Sequence, residues 1–354
     1  MKTIPLAAAL AGFLALSGCQ TGIGYVWREA GPFLKSNSGA RPIDQVLKDP
    51  KTPQDVRTLL EEVKSIKNFA VHAIGLKDNS NYTRYKALDR DYLVTVVQAC
   101  GAVSFTPYEW RYPFLGKLPY RGYYDPKDAD GEAAALKAKG YDVIVRKVDA
   151  FSTLGFFSDP VYSFMKDYSA YDLADTIIHE QTHATIFLKG QDQFNEELAS
   201  FVGDTGGLEY VQMTYGRESP QYGDAVAEQE DSAIFLDFIN NLRARLQAVY
   251  GSDLSREEML ARKAEIIRAA LVEYREKVVP LYKSKAYKGA VDLPINNAYI
   301  SLFDLYTKDI PLLREYYRSL CGSDLAVFIK KVKEISRSSK DMAQSLRAAL
   351  SAAG

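Results

Sequence analysis

Two of the three histidines in this 354-residue chain stand four residues apart, in His179-Glu180-Gln181-Thr182-His183. No other feature constrains the fold as tightly. An α-helix turns once in about 3.6 residues, so positions i and i+4 share one face. Two imidazoles on that face can hold one Zn²⁺ between them. Glu180 then stands beside the ion, with a carboxylate able to take a proton from water. Ile177, Ile178, Ile186 and Phe187 supply apolar flanks. The spacing predicts a helix from Ala170 to Lys189, stopped by Gly190. The plainer alternative is a pair of satisfied buried histidines, and Glu180 between them argues against it. His72 sits alone in an amphipathic stretch and is expected to be structural or exposed.

The first residues read as a targeting segment. Lys2 precedes an apolar run from Ile4 to Leu16, too short to span a bilayer comfortably and of the length of a signal-peptide core. The run ends in Leu16-Ser17-Gly18-Cys19, which is similar to a bacterial lipobox. That similarity implies a signal peptide over 1–18 and a mature chain that begins at lipidated Cys19. Acyl chains contribute about 0.8 kcal/mol per buried methylene, so more than one holds firmly to a membrane. The implied location is the cell envelope, facing the periplasm. Gln20 is not an aspartate, which by the sorting pattern of Gram-negative lipoproteins implies the outer membrane. An ordinary secretory signal with a chance cysteine is the alternative.

The rest of the chain has ordinary globular composition, and its net charge of −1 comes with no basic block. Nucleic acid is therefore not an expected partner. No later apolar stretch reaches transmembrane length. Cys100 and Cys321 lie far apart and form no C-x-x-C, so neither a redox motif nor a cysteine metal site is indicated.

Along the chain, 19–53 reads as a tether and N-terminal segment, and 54–158 as an N-terminal α/β part with an edge strand. Within it, Gln54 to Leu76 has helical apolar spacing, Tyr92 to Ala99 is rich in β-branched residues, and Ala129 to Lys139 is a short helix closed by Gly140. Tyr141 to Val148 alternates like a strand. The remainder, 159–354, reads as the helical, zinc-binding part. Its expected helices are Ala170 to Lys189, Phe194 to Tyr215, Ala225 to Tyr250, Arg256 to Lys277, Asn297 to Tyr306, Ile310 to Leu320 and Leu325 to Leu350. Strands followed by helices make an α+β protein, here predominantly helical.

A catalytic zinc site keeps three protein ligands and one open position. A third histidine six residues after the motif is excluded, because Ile186 and Lys189 stand where that pattern needs Gly and His. Downstream lies Phe194-Asn195-Glu196-Glu197-Leu198-Ala199-Ser200. Asn195 is a good N-cap, which would put Glu196 in the first turn of a second helix, facing back towards the histidines. Glu197 points about 100° away. Asp192, in the intervening loop, is the other candidate. Asn-Glu-x-x-Ala after H-E-x-x-H resembles the gluzincin pattern, which implies Glu196 as third ligand and a gluzincin-like metallopeptidase core. Ser200 stands where many gluzincins carry an aspartate, and Asp204, one turn on, is a candidate to orient a ligand instead. A His, His, Glu set suits Zn²⁺. With Glu180 moving the proton to the leaving amine, the implied reaction is amide hydrolysis.

The resemblance extends further. Tyr120-Arg121-Gly122-Tyr123-Tyr124, Ser152-Thr153-Leu154-Gly155, the histidine motif, Phe194-Asn195-Glu196 and Asn296-Asn297-Ala298 occur in this order. Together they resemble the predicted aminopeptidase family of bacterial lipoproteins, over roughly Ser80 to Tyr306. The resemblance implies a zinc aminopeptidase acting on small peptides. An endopeptidase, or a non-catalytic envelope lipoprotein that keeps a zinc-stabilised fold for binding or assembly, are the alternatives. Ser152 to Gly155 is a candidate for strand addition by substrate, or else a turn packed on the zinc helix. Tyr123 or Tyr124, and Tyr299 or Tyr306, are candidates to hydrogen-bond an oxyanion. Arg121 could bind a substrate carboxylate or form a buried pair within the fold. The Gly-x-Met-Glu-Asn motif that grips the α-amine in the best-known zinc aminopeptidases is missing. Glu197, Glu109 and Asp159 are the acidic residues that could replace it.

Overall fold

The structure, a computed structural model, describes residue 25 and residues 38–112, 116–148, 159–285, 287–289, 294–306 and 309–353, with the backbone alone for 304–306. Cys19 and the segment before it, and Ser152, Thr153, Leu154 and Gly155, lie outside the described residues.

The chain runs through a two-residue strand β1 (Arg41–Pro42), a short helix α1 (Ile43–Lys48) and helix α2 (Gln54–Phe69), which ends in a π-helical turn over Ala70–Ile74. Strands β2 (Arg84–Lys86), β3 (Val94–Gly101), β4 (Trp110–Tyr112), β5 (Gly116–Leu118) and β6 (Tyr120–Tyr123) follow. Next come α3 (Pro126–Ala138), β7 (Tyr141–Val148) and β8 (Val161–Tyr162). Beyond β8 the elements are helical: α4 (Ala170–Thr185), α5 (Asp192–Tyr215), α6 (Pro220–Tyr250), α7 (Arg256–Glu273), α8 (Asn297–Ile300), α9 (Ile310–Cys321), α10 (Leu325–Ser336) and α11 (Met342–Ala353). The architecture is α+β and mostly helical.

β3 is the central strand of an antiparallel sheet ordered β6-β3-β7. Its β-branched residues are buried on both faces. Val97 and Ala99 pack with Ala129, Ala133 and Leu136 of α3, while Val94 and Val96 enter the main helical core. β7 forms an edge of this sheet, with Ala99 opposite Val143 and Val97 opposite Val145. A second sheet, β1-β2-β8, pairs β8 parallel to β2 with Tyr85 opposite Val161. That pairing ties the start of the helical part back to residues near 85. The main core does the same: Leu60, Val63 and Ile66 of α2 pack in one cluster with Ile177 and Ile178 of α4, Val202 of α5 and Phe328 of α10.

Several helices differ from their sequence-based extents: α6 begins at Pro220, five residues before Ala225, α3 begins at Pro126, and the α-helical parts of α7 and α8 end at Glu273 and Ile300, short of Lys277 and Tyr306. α4 stops at Thr185, four residues before Lys189, for reasons given below. α5 begins at Asp192, not Phe194. The stretch from Leu325 to Leu350 is two helices, because Asp341 caps a new start by accepting from the Gln344 amide at 3.0 Å. The break lets Met342 and Leu346 fold back into the core. Cys100 and Cys321 are both free and buried in different clusters.

Asn296-Asn297-Ala298 is a structural junction. Asn297 is fully buried, and its amide nitrogen donates to the carbonyls of Gly101, Ala102 and Ser104 at 2.9, 3.3 and 3.2 Å. Its side-chain oxygen accepts from Tyr250 at 2.9 Å, and its backbone N–H donates to Asp142 at 2.7 Å. Asp142 also pairs with the buried Lys263, which donates to the Ala102 carbonyl at 2.9 Å. One asparagine therefore satisfies the end of β3, the start of β7 and the side of α6 together. Asn297→Ala strands several buried polar groups and is expected to cost about 2–4 kcal/mol. Urea denaturation of the two proteins checks this.

Candidate metal centre

The site begins with a well-capped helix. Ser169 and Asp172 form a reciprocal capping box at the start of α4. Ile177 and Ile178 are buried in the core, which turns His179, Glu180 and His183 towards a half-buried surface. The C-terminal end is set from outside the helix. Asn195, from α5, accepts from the Leu188 amide at 2.9 Å and donates to the Leu188 carbonyl at 2.8 Å. That pair of bonds holds Leu188 out of the helix. Thr182 and Thr185 donate back to the carbonyls of Ile178 and Gln181 at 2.8 and 2.7 Å, a pattern that loosens a helix end. Gly190 reverses the chain with φ of +76°. Asn195 is therefore not the N-cap of α5; Gln191 stands there, with no side-chain cap. Ile186 is buried as expected, but Phe187 is 59% exposed.

α5 packs against α4 through glycines. A Cβ on Gly203 would lie 2.3 Å from Asp175 Oδ1, 2.9 Å from the Asp175 carbonyl oxygen and 3.2 Å from the Cβ of His179. Gly206 and Gly207 are less tight: a Cβ would lie 2.9 Å from Ile74 and 3.1 Å from Ile178 at the first, and 3.2 Å from the Asp175 backbone nitrogen and 3.3 Å from the Tyr171 ring at the second. This close approach carries Glu196, in the second turn of α5, to the histidines.

His179 and His183 present their Nε2 atoms to each other at 3.1 Å. Glu196 places one oxygen 3.5 Å from His183 Nε2 and the other 3.7 Å from His179 Nε2. Ligands held about 2.0–2.1 Å from a tetrahedral Zn²⁺ lie about 3.3–3.4 Å apart, so the three side chains fit that ion. Two ring nitrogens this close to each other and to a carboxylate also need a positive centre between them. The set can hold a metal, and it is the group of three such ligands found among the described residues. Asp192 is exposed in the first turn of α5 and is not in it.

The electrostatics are strongly anionic. Burial resists charge on both partners, yet the hydrogen bond to Glu196 and the charges of Glu180, Asp175 and Glu196 raise the pKa of His179. The same bonds from His179 and His183 outweigh burial at Glu196 and pull it down to about 2. Behind the histidines, burial, with Asp204, Asp172 and Glu228 nearby, lifts Asp175 to about 7 although His179 opposes this. Asp204 itself accepts from Tyr171 at 2.5 Å and from Gln229 at 2.9 Å. The sequence pointed to Asp204 as the orienting residue. Asp175, one turn before His179 on its own helix, is a carboxylate whose charge acts on that imidazole, and the i, i+4 spacing was the available signal.

Glu180 is half-buried, and among the described residues no donor engages its carboxylate. Besides His179, its charge acts on Asp159 and Tyr82. Burial first, and then Glu180, raises Asp159 to about 7. Tyr82 is almost fully buried and has a left-handed backbone with φ of 54°, a costly conformation for a bulky residue. Its amide donates to the Asp159 carbonyl at 2.6 Å. Nothing in the sequence around Tyr82 marks it; only the fold brings it to Glu180.

Other candidates lie elsewhere. Arg121 is 5% exposed, with its guanidinium over the rings of Tyr25 and Tyr112 at 4.6 and 5.6 Å and 3.9 Å from Glu132. It is placed inside the β-sheet layer, as a buried pair, and not where a substrate carboxylate could reach it. Tyr123 is buried in that same layer and packs edge-on to Tyr25. Tyr124 is half-buried beneath Arg90, near Tyr162. Tyr299 is buried with Phe303 in the cluster between α6, α7 and α8, where burial pushes it up to about 12. The side chain of Tyr306 is outside the described residues. His72 is exposed, and its Nδ1 donates to the Asn68 carbonyl at 3.0 Å.

The fold and the converging side chains thus define a mostly helical α+β protein with a three-residue site able to hold a metal ion. A family model described as "Putative aminopeptidase" matches residues 24–346, and the chain belongs to that family. No curated protein and no solved structure matches the chain.

Removing one ligand should be felt directly. His183→Ala is expected to weaken zinc binding by at least about a hundredfold and Glu196→Gln by at least about tenfold, read by competition with a chromophoric chelator. Affinity in the unaltered protein should fall as pH drops below the histidine range, because protons then compete for both imidazoles.

Proposed function

We propose that this protein is a zinc-dependent peptidase with a gluzincin-like site, an aminopeptidase acting on small peptides, held at the envelope membrane by lipid on Cys19. The observation that carries the reading is the convergence of His179, His183 and Glu196 beside Glu180, whose carboxylate meets no donor among the described residues. The family description supports the aminopeptidase assignment.

His179, His183 and Glu196 would hold the ion, which supplies a Lewis acid for the scissile carbonyl and makes water more acidic. Glu180 follows His179 on the same turn of α4, so its carboxylate borders the same opening. It accepts the proton of the attacking water and returns it to the leaving amine. The capping box at Ser169 and the contact with α5 keep the helix, and with it Glu180, fixed during that transfer. Asp175 acts on His179 from behind and favours an imidazole oriented towards the site.

Support for the anchor comes from Leu16-Ser17-Gly18-Cys19. No described helix is long and apolar enough to cross a membrane. A lipid on Cys19 would tether the catalytic part to the surface.

Glu180→Gln is expected to lower kcat/KM at least about a hundredfold on a peptide library while zinc content stays at one per chain, measured by mass spectrometry and by metal analysis. Full activity in that variant removes Glu180 from the mechanism. Zinc-loaded wild-type protein with no turnover on any peptide points to a binding module. Cys19→Ala should abolish incorporation of labelled palmitate and release the protein from the membrane fraction.

A further inference from the structure

A lipid on Cys19 places the folded body according to the first residue beyond it that is held in place. Between Cys19 and Ser38 the structure describes Tyr25, six residues after the cysteine. We propose that Tyr25 is a latch: docked in the cage around Arg121, it shortens the tether and holds the layer of β4, β6 and α3 next to the membrane surface. The inference rests on the lipid-anchor reading and adds to it the face that the protein turns to the bilayer.

Arg121 comes from β6, an edge strand of the β6-β3-β7 sheet. Its guanidinium is taken out of water, and aromatic rings receive it. Tyr112 and Trp110 of β4 lie 5.6 and 5.8 Å from it, and Nε donates to the Tyr112 hydroxyl at 3.3 Å. Glu132 of α3 stands 3.9 Å away and accepts from the Trp110 indole at 2.8 Å. At 4.6 Å, Tyr25 is closer to the guanidinium than either ring of β4. Stacking on a ring face suits a planar cation that has lost its hydration. Tyr25 also meets Tyr112 and Tyr123 edge-on, at 5.6 and 5.7 Å, and its hydroxyl donates to the Gly122 carbonyl. Gly122 is 97 residues further along the chain, so no local preference puts the ring there. One half-buried ring thus engages a cation, two aromatic neighbours and a carbonyl of an edge strand.

Chain length converts this contact into a distance. An extended chain reaches at most about 3.3–3.6 Å per residue, so Tyr25 stays within about 20 Å of Cys19. A tether free as far as Ser38 would reach about 65 Å. As flexible coils the two would average about 13 and about 24 Å, nearly a twofold difference. The docked ring therefore keeps the cage, and the strands that build it, low over the bilayer. On β4, Arg111 is exposed between the buried Trp110 and Tyr112, so it marks the outer side of that layer.

The test reads distance to the membrane on the full lipidated chain in phospholipid vesicles. A donor fluorophore is placed on Arg111→Cys and an acceptor on the lipid headgroups; Cys100 and Cys321 are buried, which favours labelling of the introduced thiol. About twelve Gly and Ser residues are inserted either between Gly22 and Ile23 or between Gly31 and Pro32. With Tyr25 docked, the first insertion lengthens the tether and is expected to lower energy transfer about twofold, while the second leaves it unchanged. Tyr25→Ala is expected to lower transfer in the uninserted chain and to make the two insertions equivalent. Tyr25→Phe, which keeps the ring over Arg121, retains the difference. Equal losses from the two insertions with Tyr25 in place, or a difference that survives Tyr25→Ala, overturns the latch while the lipid anchor stands. Absence of labelled palmitate on the wild-type chain overturns the anchor, and the membrane-facing layer with it. If Tyr25→Ala lowers the melting temperature, the pair of insertions, which keeps Tyr25, decides alone.

Discussion

The contact between α4 and α5 is what the rest of the structure depends on. Three glycines within five residues of α5, Gly203, Gly206 and Gly207, remove the side chains that would keep the two helices apart. Without that approach the histidines and Glu196 would belong to separate surfaces. Glycine in a helix interior costs roughly 1 kcal/mol relative to alanine, and here it is retained in a buried face. Close packing compensates for that cost and also sets the distance at which three ligand atoms come within 4.8 Å of one another.

The second constraint is electrostatic. Carboxylates surround the histidines on several sides: Glu196 in front, Glu180 alongside, Asp175 behind, and Asp204 and Glu228 further back. An anionic pocket raises the cost of folding unless something positive enters it. A metal ion is an answer of the right sign, and three side chains stand where they could hold one. Glu196 is held low because both histidines bond it, against the burial that opposes its charge, whereas burial, and then the charge of Glu180, raises Asp159.

Several residues that stood out in the sequence, as candidates or as part of the family resemblance, lie buried within the fold. Arg121, Tyr123 and Asn297 carry polar groups that are expensive to bury alone, so each lies in a dense set of partners. A residue type chosen for its chemistry cannot be assigned by that chemistry alone. The guanidinium that could grip a substrate carboxylate is equally suited to a cage of tyrosines, and only its burial decides. Tyr82 shows the reverse: it is one tyrosine among 24 in the chain, with a role visible only once the parallel β2–β8 pairing brings it to Asp159 and Glu180.

The sequence by itself determined the helix that carries His179, Glu180 and His183, since the spacing of apolar and ligand residues follows the helical period. It also determined β7, whose alternation runs over Tyr141–Val148, and the α+β order of elements. Local periodicity is enough for these, because each depends on neighbours a few residues away. The tertiary structure decided where α4 ends, because Asn195 intercepts Leu188 from the next helix. It decided that the stretch after Leu325 breaks in two and that Glu197 serves Asp309. Those outcomes turn on which distant groups compete for the same hydrogen bonds and charges, and that competition is settled only when the chain is packed.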